Sequence, residues 1–544
     1  MDTSMAQNWL QFHSLSGFPL LTLLCALPLG FALVALAIPD EHTGAHKAWS
    51  FVGSLVTFGA TLLVLSGFDR NAVGFQQVDD YAWIPSFGAR WTLGVDGLSL
   101  PLVLLTGLLM PIIFAGAWSA IDKRWKEFAI AMLVLETGML GSLLAIDLLS
   151  FYVFWEIMLV PMYLIVGIWG GKDRIYATVK FFLYTMFGSL LMLVAILWLY
   201  QKSGGSFALA QLAHLQLSSK EQTWLFAAFA LAFLIKVPVF PFHTWLPDAH
   251  TEAPTPGSVV LAGVMLKLGT YGLLRFAIPL FPSAMGTFSP LLLTLAVIGI
   301  VFGALMAYVQ TDVKRLVAYS SVSHLGFVML GIVIFNEEAL QGAILQGVNH
   351  GLSTGALFLL VGYVYERRHT REIANFGGIA AKMPVYAAFF VFVTMSSIAL
   401  PLTNGFVGEF LIFAGSFKEG VQARIPMALE DGHWRTIVNV GGAFATLGIV
   451  LGAVYMLSMV RRVFFGQLTN PDNKGLRDLT TREKTIMGIL AAFILWIGVY
   501  PSSWLNLSKT TVHAMVQAHR PAILQVRAPL DYKHEAVQHA HADQ

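Results

Sequence analysis

Residues 231–242 read LAFLIKVPVFPF, and residues 259–274 read VVLAGVMLKLGTYGLL. Each is an apolar run holding one lysine, Lys236 in the first and Lys267 in the second. About 20 consecutive apolar residues cross a bilayer as a helix. A charge at the centre of such a span costs about 2.5–3.5 kcal/mol on insertion scales. Packing alone gives no reason to accept that cost. The two stretches therefore read as membrane helices whose ionisable side chains face the interior of a bundle.

The rest of the chain reads the same way. It has 544 residues, 56% hydrophobic and only 12% charged, against about 25% charged in soluble domains. Candidate spans fall at 18–38, 49–68, 97–118, 128–147, 148–169, 179–201, 223–242, 257–281, 290–309, 316–335, 340–365, 384–416, 438–461 and 485–504. This predicts an all-α polytopic membrane protein of about fourteen transmembrane helices. Only Asp147 and Ser150 separate the fourth span from the fifth. Residues 71–96 differ, since turn residues alternate there with Tyr81, Trp83, Phe87 and Trp91. They predict an extramembrane hairpin over the bundle edge. The tail beyond Trp504 is polar and contains His534, His539 and His541, a solvated end. The first span is preceded by Asp2 and no basic residue, unlike a cleavable signal.

Composition also excludes functions. A net charge of +2 and the lack of a basic tail speak against nucleic acid as a partner. Cys25 is the single cysteine, whereas an iron–sulfur cluster needs about four ligands. No dinucleotide fingerprint opens a βα unit. If the protein serves redox chemistry, its cofactors sit on other chains.

Lysine and arginine orient the bundle, because they concentrate in cytoplasmic loops. The odd-numbered loops carry more than twice as many as the even-numbered ones. The odd loops then face the cytoplasm and both termini lie outside. Arg275 counts with the near-loop positions and Lys314 with the loops. Lys236 and Lys267 alone remain inside spans.

Three glutamates share their situation: Glu136 in AIAMLVLETGMLG, Glu156 in FYVFWEIMLVPMY and Glu409 in LPLTNGFVGEFLIFAG. A lysine out of water holds its proton less tightly, and a nearby carboxylate restores it. Such a set suits proton relay, with Glu156 the natural partner of Lys236. Lys267 is a next acceptor and Glu409 an exit site. The blander reading is a structural pair or a snorkelling side chain. Glu136, beside Thr137, Gly138 and Gly141, suits a close helix contact equally well.

Two spans also look broken. The seventh contains Pro238 and Pro241 just after Lys236. The twelfth contains Pro401, Gly405 and Gly408 just before Glu409. Irregular backbone at membrane depth is tolerated where it is buried or lines a water cavity, and paired breaks in two halves of a transporter mark its ion site. Simple proline kinks are the alternative. Carboxylates beside the carbonyls of a break also suit sodium. His324 and His350 lie within spans and titrate nearest neutrality. They either bridge Lys267 to Glu409 or sit neutral against Ser321, Ser323 and Asn349. His243, Asp248 and His250 have a spacing that admits a metal, but a proline-rich turn at the cytoplasmic mouth fits better, there being no helical i,i+4 pair.

The stretches FWEIMLVPMYLIVGIWGG, KVPVFPFHTWLPDAHTEAPTPGSVVLAGVMLKLGTYGLLRF, VKRLVAYSSVSHLGFV and LPLTNGFVGEF together resemble the antiporter-like subunit M (chain 4) family of bacterial NADH:quinone oxidoreductase, respiratory complex I. The resemblance runs from about Gly94 to Tyr500. It implies two inverted five-helix repeats, at 128–281 and 290–463, with broken helices 7 and 12. Residues 1–127 would be an N-terminal part and 464–544 the last span and tail. It further implies that Glu156 and Lys236 form the ion pair of one half-channel. Lys267 would be the central lysine, His324 and His350 the link, and Glu409 the terminal proton site. FMN, iron–sulfur clusters and quinone would sit on partner subunits in the bacterial inner membrane, among them neighbouring antiporter-like chains. A multi-subunit cation/proton antiporter shares the Glu–Lys–Lys core. The glutamate on the twelfth span favours the respiratory family over it. A hydrogenase-type complex and a passive scaffold complete the alternatives, and the charges in the spans argue against the last.

Overall fold

The computed structural model describes residues 8–422 and 432–527. In chain order the main helices are α1 (Leu20–Ala37), α2 (Thr43–Ser66), α3 (Leu100–Ala120), α4 (Trp125–Leu144), α5 (Leu148–Trp169) and α6 (Arg174–Lys202). Next come α7 (Ser219–Lys236) and the short α8 (Trp245–Glu252). They lead into α9 (Thr255–Leu280), α10 (Pro282–Tyr308), α11 (Val313–Ile334) and α12 (Glu337–Arg368). The last five are α13 (Pro384–Ser397), α14 (Asn404–Gln422), α15 (Gly432–Phe464), α16 (Thr481–Val499) and α17 (Ser502–Arg527).

Among the described residues, 11 helices are long and apolar enough to cross a membrane, and α16 with α17 adds one more as a pair bent by 63°. Three of the fourteen spans read from hydropathy are not among the 11 single helices, each for a physical reason. α7 carries Lys220, Glu221 and Lys236 within its short length. The twelfth span is split into α13 and α14. The fourteenth bends at Pro501 between α16 and α17.

The fourth and fifth spans are distinct helices, because Asp147 starts α5. Its carboxylate accepts the amides of Leu149 at 3.0 Å and Ser150 at 3.1 Å, filling donors that a helix start leaves open. Burial pushes this carboxyl up to about 6, against the pull of those amides. Between α2 and α3, β1 (Gln76–Ile84) and β2 (Ala89–Val95) pair antiparallel, Tyr81 opposite Trp91. Gly88, at φ 62°, supplies the left-handed residue of the turn.

Burial follows polarity in reverse. α9, α11 and α12, which carry Lys267, His324 and His350, are wholly enclosed by other helices. α1, α6, α10 and α15 form the outside, where Phe187, Val194, Val450 and similar side chains are exposed. Polar groups cost most against hydrocarbon, so helices bearing them take the centre.

Two basic residues placed in or near loops by their sequence position are in fact buried. Arg275 is 0% exposed and pairs with Asp96, which is 1% exposed. Lys314 is 5% exposed and donates to the carbonyls of Ala253 and Thr251. The apolar run around Arg275 extends to Leu280, and Lys314 caps the end of α8, whose last carbonyls need donors.

Candidate functional site: a buried chain of ionisable groups

Lys236 is the final residue of α7. Pro238 and Pro241 follow it and cannot donate backbone hydrogen bonds. The freed carbonyl of Ile235 is met instead by Trp245 Nε1 at 3.0 Å. The chain then turns into α8 and enters α9. That helix is regular only in part, with π-helical turns at Leu261–Met265 and Leu273–Ala277 on either side of Lys267. Such turns concentrate at functional sites. α9 also comes close to the end of α7. A Cβ on Gly269 would lie 2.7 Å from the Phe233 carbonyl oxygen and 2.6 Å from Val237 Cγ2. Only glycine allows this approach, two residues from one lysine and next to the other.

The second break runs from Ile398 to Thr403, where Ala399 and Leu402 adopt φ 59° and 74°. These left-handed values are uncommon for residues with a Cβ. Asn404 opens α14 and organises the break. Its Oδ1 accepts Ser396 Oγ at 2.6 Å, Ser353 Oγ at 3.2 Å and the Gly405 amide at 2.9 Å. Its carbonyl accepts Asn349 Nδ2 at 2.7 Å. The polar backbone at this depth is thereby satisfied by side chains rather than lipid.

Four of the residues singled out in the sequence form one series of contacts. Lys267 Nζ lies 2.6 Å from His350 Nδ1 and donates to the Ala262 carbonyl, at the first π-turn. The His350 and His324 rings stand 6.1 Å apart, centroid to centroid. His324 Nδ1 lies 3.3 Å from Glu409 Oε1, and its Nε2 meets Ser397 Oγ at 3.3 Å. Gln346 Nε2 donates to Glu409 Oε1 at 3.2 Å. A small cavity beside the two rings is lined by His324, His350, Asn349, Ser353 and Ser396 among others. All four residues are buried.

Glu156 and Lys236 are neighbours without a direct ion pair among the described residues. The Lys236 ammonium instead lies over the Trp155 ring, 5.1 Å from its centroid, and 5.9 Å from that of Phe181. Glu156 is half-buried rather than buried, because α5 meets the outer helix α6 there. Tyr152 stands between it and Ser189. α5 is locally irregular at Met158, so Glu156 too sits beside a helix irregularity. Glu136 is fully buried, and neither carboxylate oxygen has a hydrogen-bond partner. The structure does not bring it into contact with the other charges.

His243, Asp248 and His250 diverge. Asp248 binds Lys180 at 2.7 Å and faces Arg315 at 3.6 Å, and His243 stacks on Phe240. His250 stacks on Phe358 at 4.7 Å, within electrostatic reach of Lys267 and Lys314. Among the described residues no group of three or more His, Cys, Asp or Glu is arranged to hold a metal. Sequence reading missed His250 as a neighbour of Lys267. The separation of 17 residues hides a proximity created by the turn between α8 and α9.

A membrane bundle with two broken helices, each ending on or leading to a buried ionisable side chain, defines an ion-translocating architecture. Residues 145–428 match the family model described as NADH:quinone oxidoreductase/Mrp antiporter, TM. The chain is 45% identical over 515 residues to NADH-quinone oxidoreductase subunit M of Rhodobacter capsulatus, covering 92% of this chain and 96% of that one. It is 42% identical to subunit M of Rickettsia prowazekii, covering 92% and 99%. Among solved structures it is similar to a chain of respiratory complex I from Thermus thermophilus with bound NADH, at TM-score 0.79 and 31% identity, covering 91% and 99%. A chain of the Mrp complex from Dietzia sp. DQ12-45-1b shares the fold, at TM-score 0.76 and 23% identity, covering 92% of this chain and 52% of that one. The chain belongs to the NADH:quinone oxidoreductase/Mrp antiporter family of membrane subunits, and within it to the subunit M group.

Proposed function

We propose that this chain is the proton-translocating subunit M of an NADH:quinone oxidoreductase, moving protons while quinone is reduced elsewhere in the complex. The observation that carries this is the series of contacts Lys267–His350–His324–Glu409 through three enclosed helices. Glu156 and Lys236 form the entry pair in this reading, and His250 with Lys314 extends the line toward the odd-numbered loops. Glu136 stands apart from the path, and its inclusion rests on burial alone. FMN, iron–sulfur clusters and quinone belong to partner chains, and neighbouring antiporter-like subunits supply the drive. The two repeats correspond to residues 128–281 and 290–463. The odd loops face the cytoplasm of a bacterial inner membrane and the termini lie outside, in line with the lysine and arginine distribution.

The test is Glu409→Gln in the assembled complex. NADH-driven proton uptake into inverted vesicles falls at least fivefold, while NADH oxidation by an artificial electron acceptor is retained. Unchanged protons per NADH removes Glu409 from the path. The antiporter reading draws on the shared fold of the Mrp chain. It requires sodium-dependent proton exchange without NADH, and affinity purification of the tagged chain with flavin and iron–sulfur subunits decides against it.

A further inference from the structure

Lys236 occupies a built aromatic site. Trp155 is buried at 5% exposure and is fixed on two sides, edge-on to Phe233 with centroids 5.5 Å apart and tilted against Phe151 at 5.6 Å. Phe181, the second face toward the ammonium, packs on Trp245 at 5.3 Å. Trp245 is in turn tied to the last turn of α7 through the Ile235 carbonyl. Both rings are therefore held by the helix end that carries Lys236. Meanwhile Glu156 Oε1 is buried without a hydrogen-bond partner, although it lies one residue from Trp155.

We infer that Trp155 is a positioning residue that holds the Lys236 ammonium in a second seat, apart from Glu156, so that the pair has an open state as well as a closed one. The face of an indole attracts a cation, with Trp the strongest of the aromatic side chains, and offers no equivalent attraction to a neutral amine. Without that seat an ammonium parted from its carboxylate would be buried with no compensation. With it, opening the pair and losing the proton become separate steps. The carboxylate and the lysine then change partners in sequence rather than together. This rests on the relay reading of Glu156 and Lys236.

Fluorination drains electron density from the indole face while nearly preserving its shape. The test introduces mono-, di- and trifluorotryptophan site-specifically at position 155 in the complete complex, beside Trp155→Phe, Trp155→Leu and Lys236→Ala. Full loss of the face weakens the hold on the ammonium by roughly two- to thirtyfold. Protons moved per NADH are expected to fall stepwise along the fluorinated series, with Phe intermediate and Leu lowest, at unchanged artificial-acceptor activity. A flat fluorinated series overturns the inference, even where Leu fails to assemble, and so does Leu at the Trp level. A defective Lys236→Ala beside a flat series leaves the relay standing and removes only the aromatic seat. A fully pumping Lys236→Ala removes the relay itself.

Discussion

Lys267 Nζ and His350 Nδ1 lie 2.6 Å apart between α9 and α12, two helices that share no turn or connection and meet only by packing. A nitrogen–nitrogen contact at this distance needs one donor and one acceptor, so the pair shares a proton rather than carrying two full charges. That arrangement suits the proposed relay, because a proton gained on one side favours the loss of one from the other.

His350→Leu removes the acceptor and leaves the Lys267 ammonium with backbone contact only. Proton pumping is expected to fall at least fivefold with the complex assembled. Leaving the buried partner unsatisfied costs about 1–3 kcal/mol of local stability. Inverted-vesicle acidification with NADH, normalised to assembled complex, reads the first effect. Pumping at the parental rate would show that protons bypass His350.

Gln346→Leu tests the Glu409 end of the series differently, since Gln346 donates to Glu409 at 3.2 Å and accepts from Asn349 at 3.2 Å. Losing it frees the Glu409 carboxylate from one of its side-chain partners and leaves Asn349 Nδ2 with the Asn404 carbonyl. A two- to fivefold fall in pumping is expected, smaller than for Glu409→Gln. Equal severity would mean that Gln346 carries the proton rather than orienting the carboxylate.

Gly269→Ala places a methyl group against backbone, 2.7 Å from the Phe233 carbonyl oxygen. α7 and α9 must then separate beside both lysines, and overpacking of this kind costs about 1–3 kcal/mol. A lower thermal inactivation temperature of the complex is expected together with reduced pumping. A variant with parental stability would show that the contact yields without strain.

Arg275→Leu leaves the buried Asp96 carboxylate with the amides of Leu98 and Ser99 and without its counter-charge, and removing one partner of a buried ion pair costs about 3–5 kcal/mol. The amount of assembled complex on native gels should drop sharply. Arg275→Leu combined with Asp96→Asn should recover part of it, because an uncharged amide is cheaper to bury than a lone carboxylate. No recovery would place the role of Arg275 in its contacts with Trp9, Phe75 and Tyr271.

Much of this molecule is legible in its sequence, for a physical reason. Lipid permits few charges, so Lys236, Lys267 and Glu409 stand out in apolar runs, and prolines and glycines mark both breaks beside them. Contacts between distant segments leave no such mark. Nothing in VVLAGVMLKLGTYGLL announces two π-helical turns, because no proline interrupts the run. Arg275 and Lys314 look like span-end charges because their partners, Asp96 and the carbonyls of Thr251 and Ala253, are remote or belong to the backbone. Trp155 reads as one more aromatic in an apolar run until the end of α7 is placed across it. Hydropathy and the length of single helices differ in their span counts where a helix is short and charged, as α7 is, or interrupted, as between α13 and α14.

The enclosed position of α12 bears on how the protein is made. Synthesis runs from the N-terminus, so α12 reaches the bilayer before α14 and α17 exist. Yet Glu409 and Asn404 of α14 and His513 of α17 are the groups that meet its Gln346, Asn349 and Glu337. These polar groups of α12 are thus born without their counterparts and must wait for later parts of the same chain. A ribosome-bound chain ending soon after Arg368 is accordingly the stage at which insertion machinery has the most to shield.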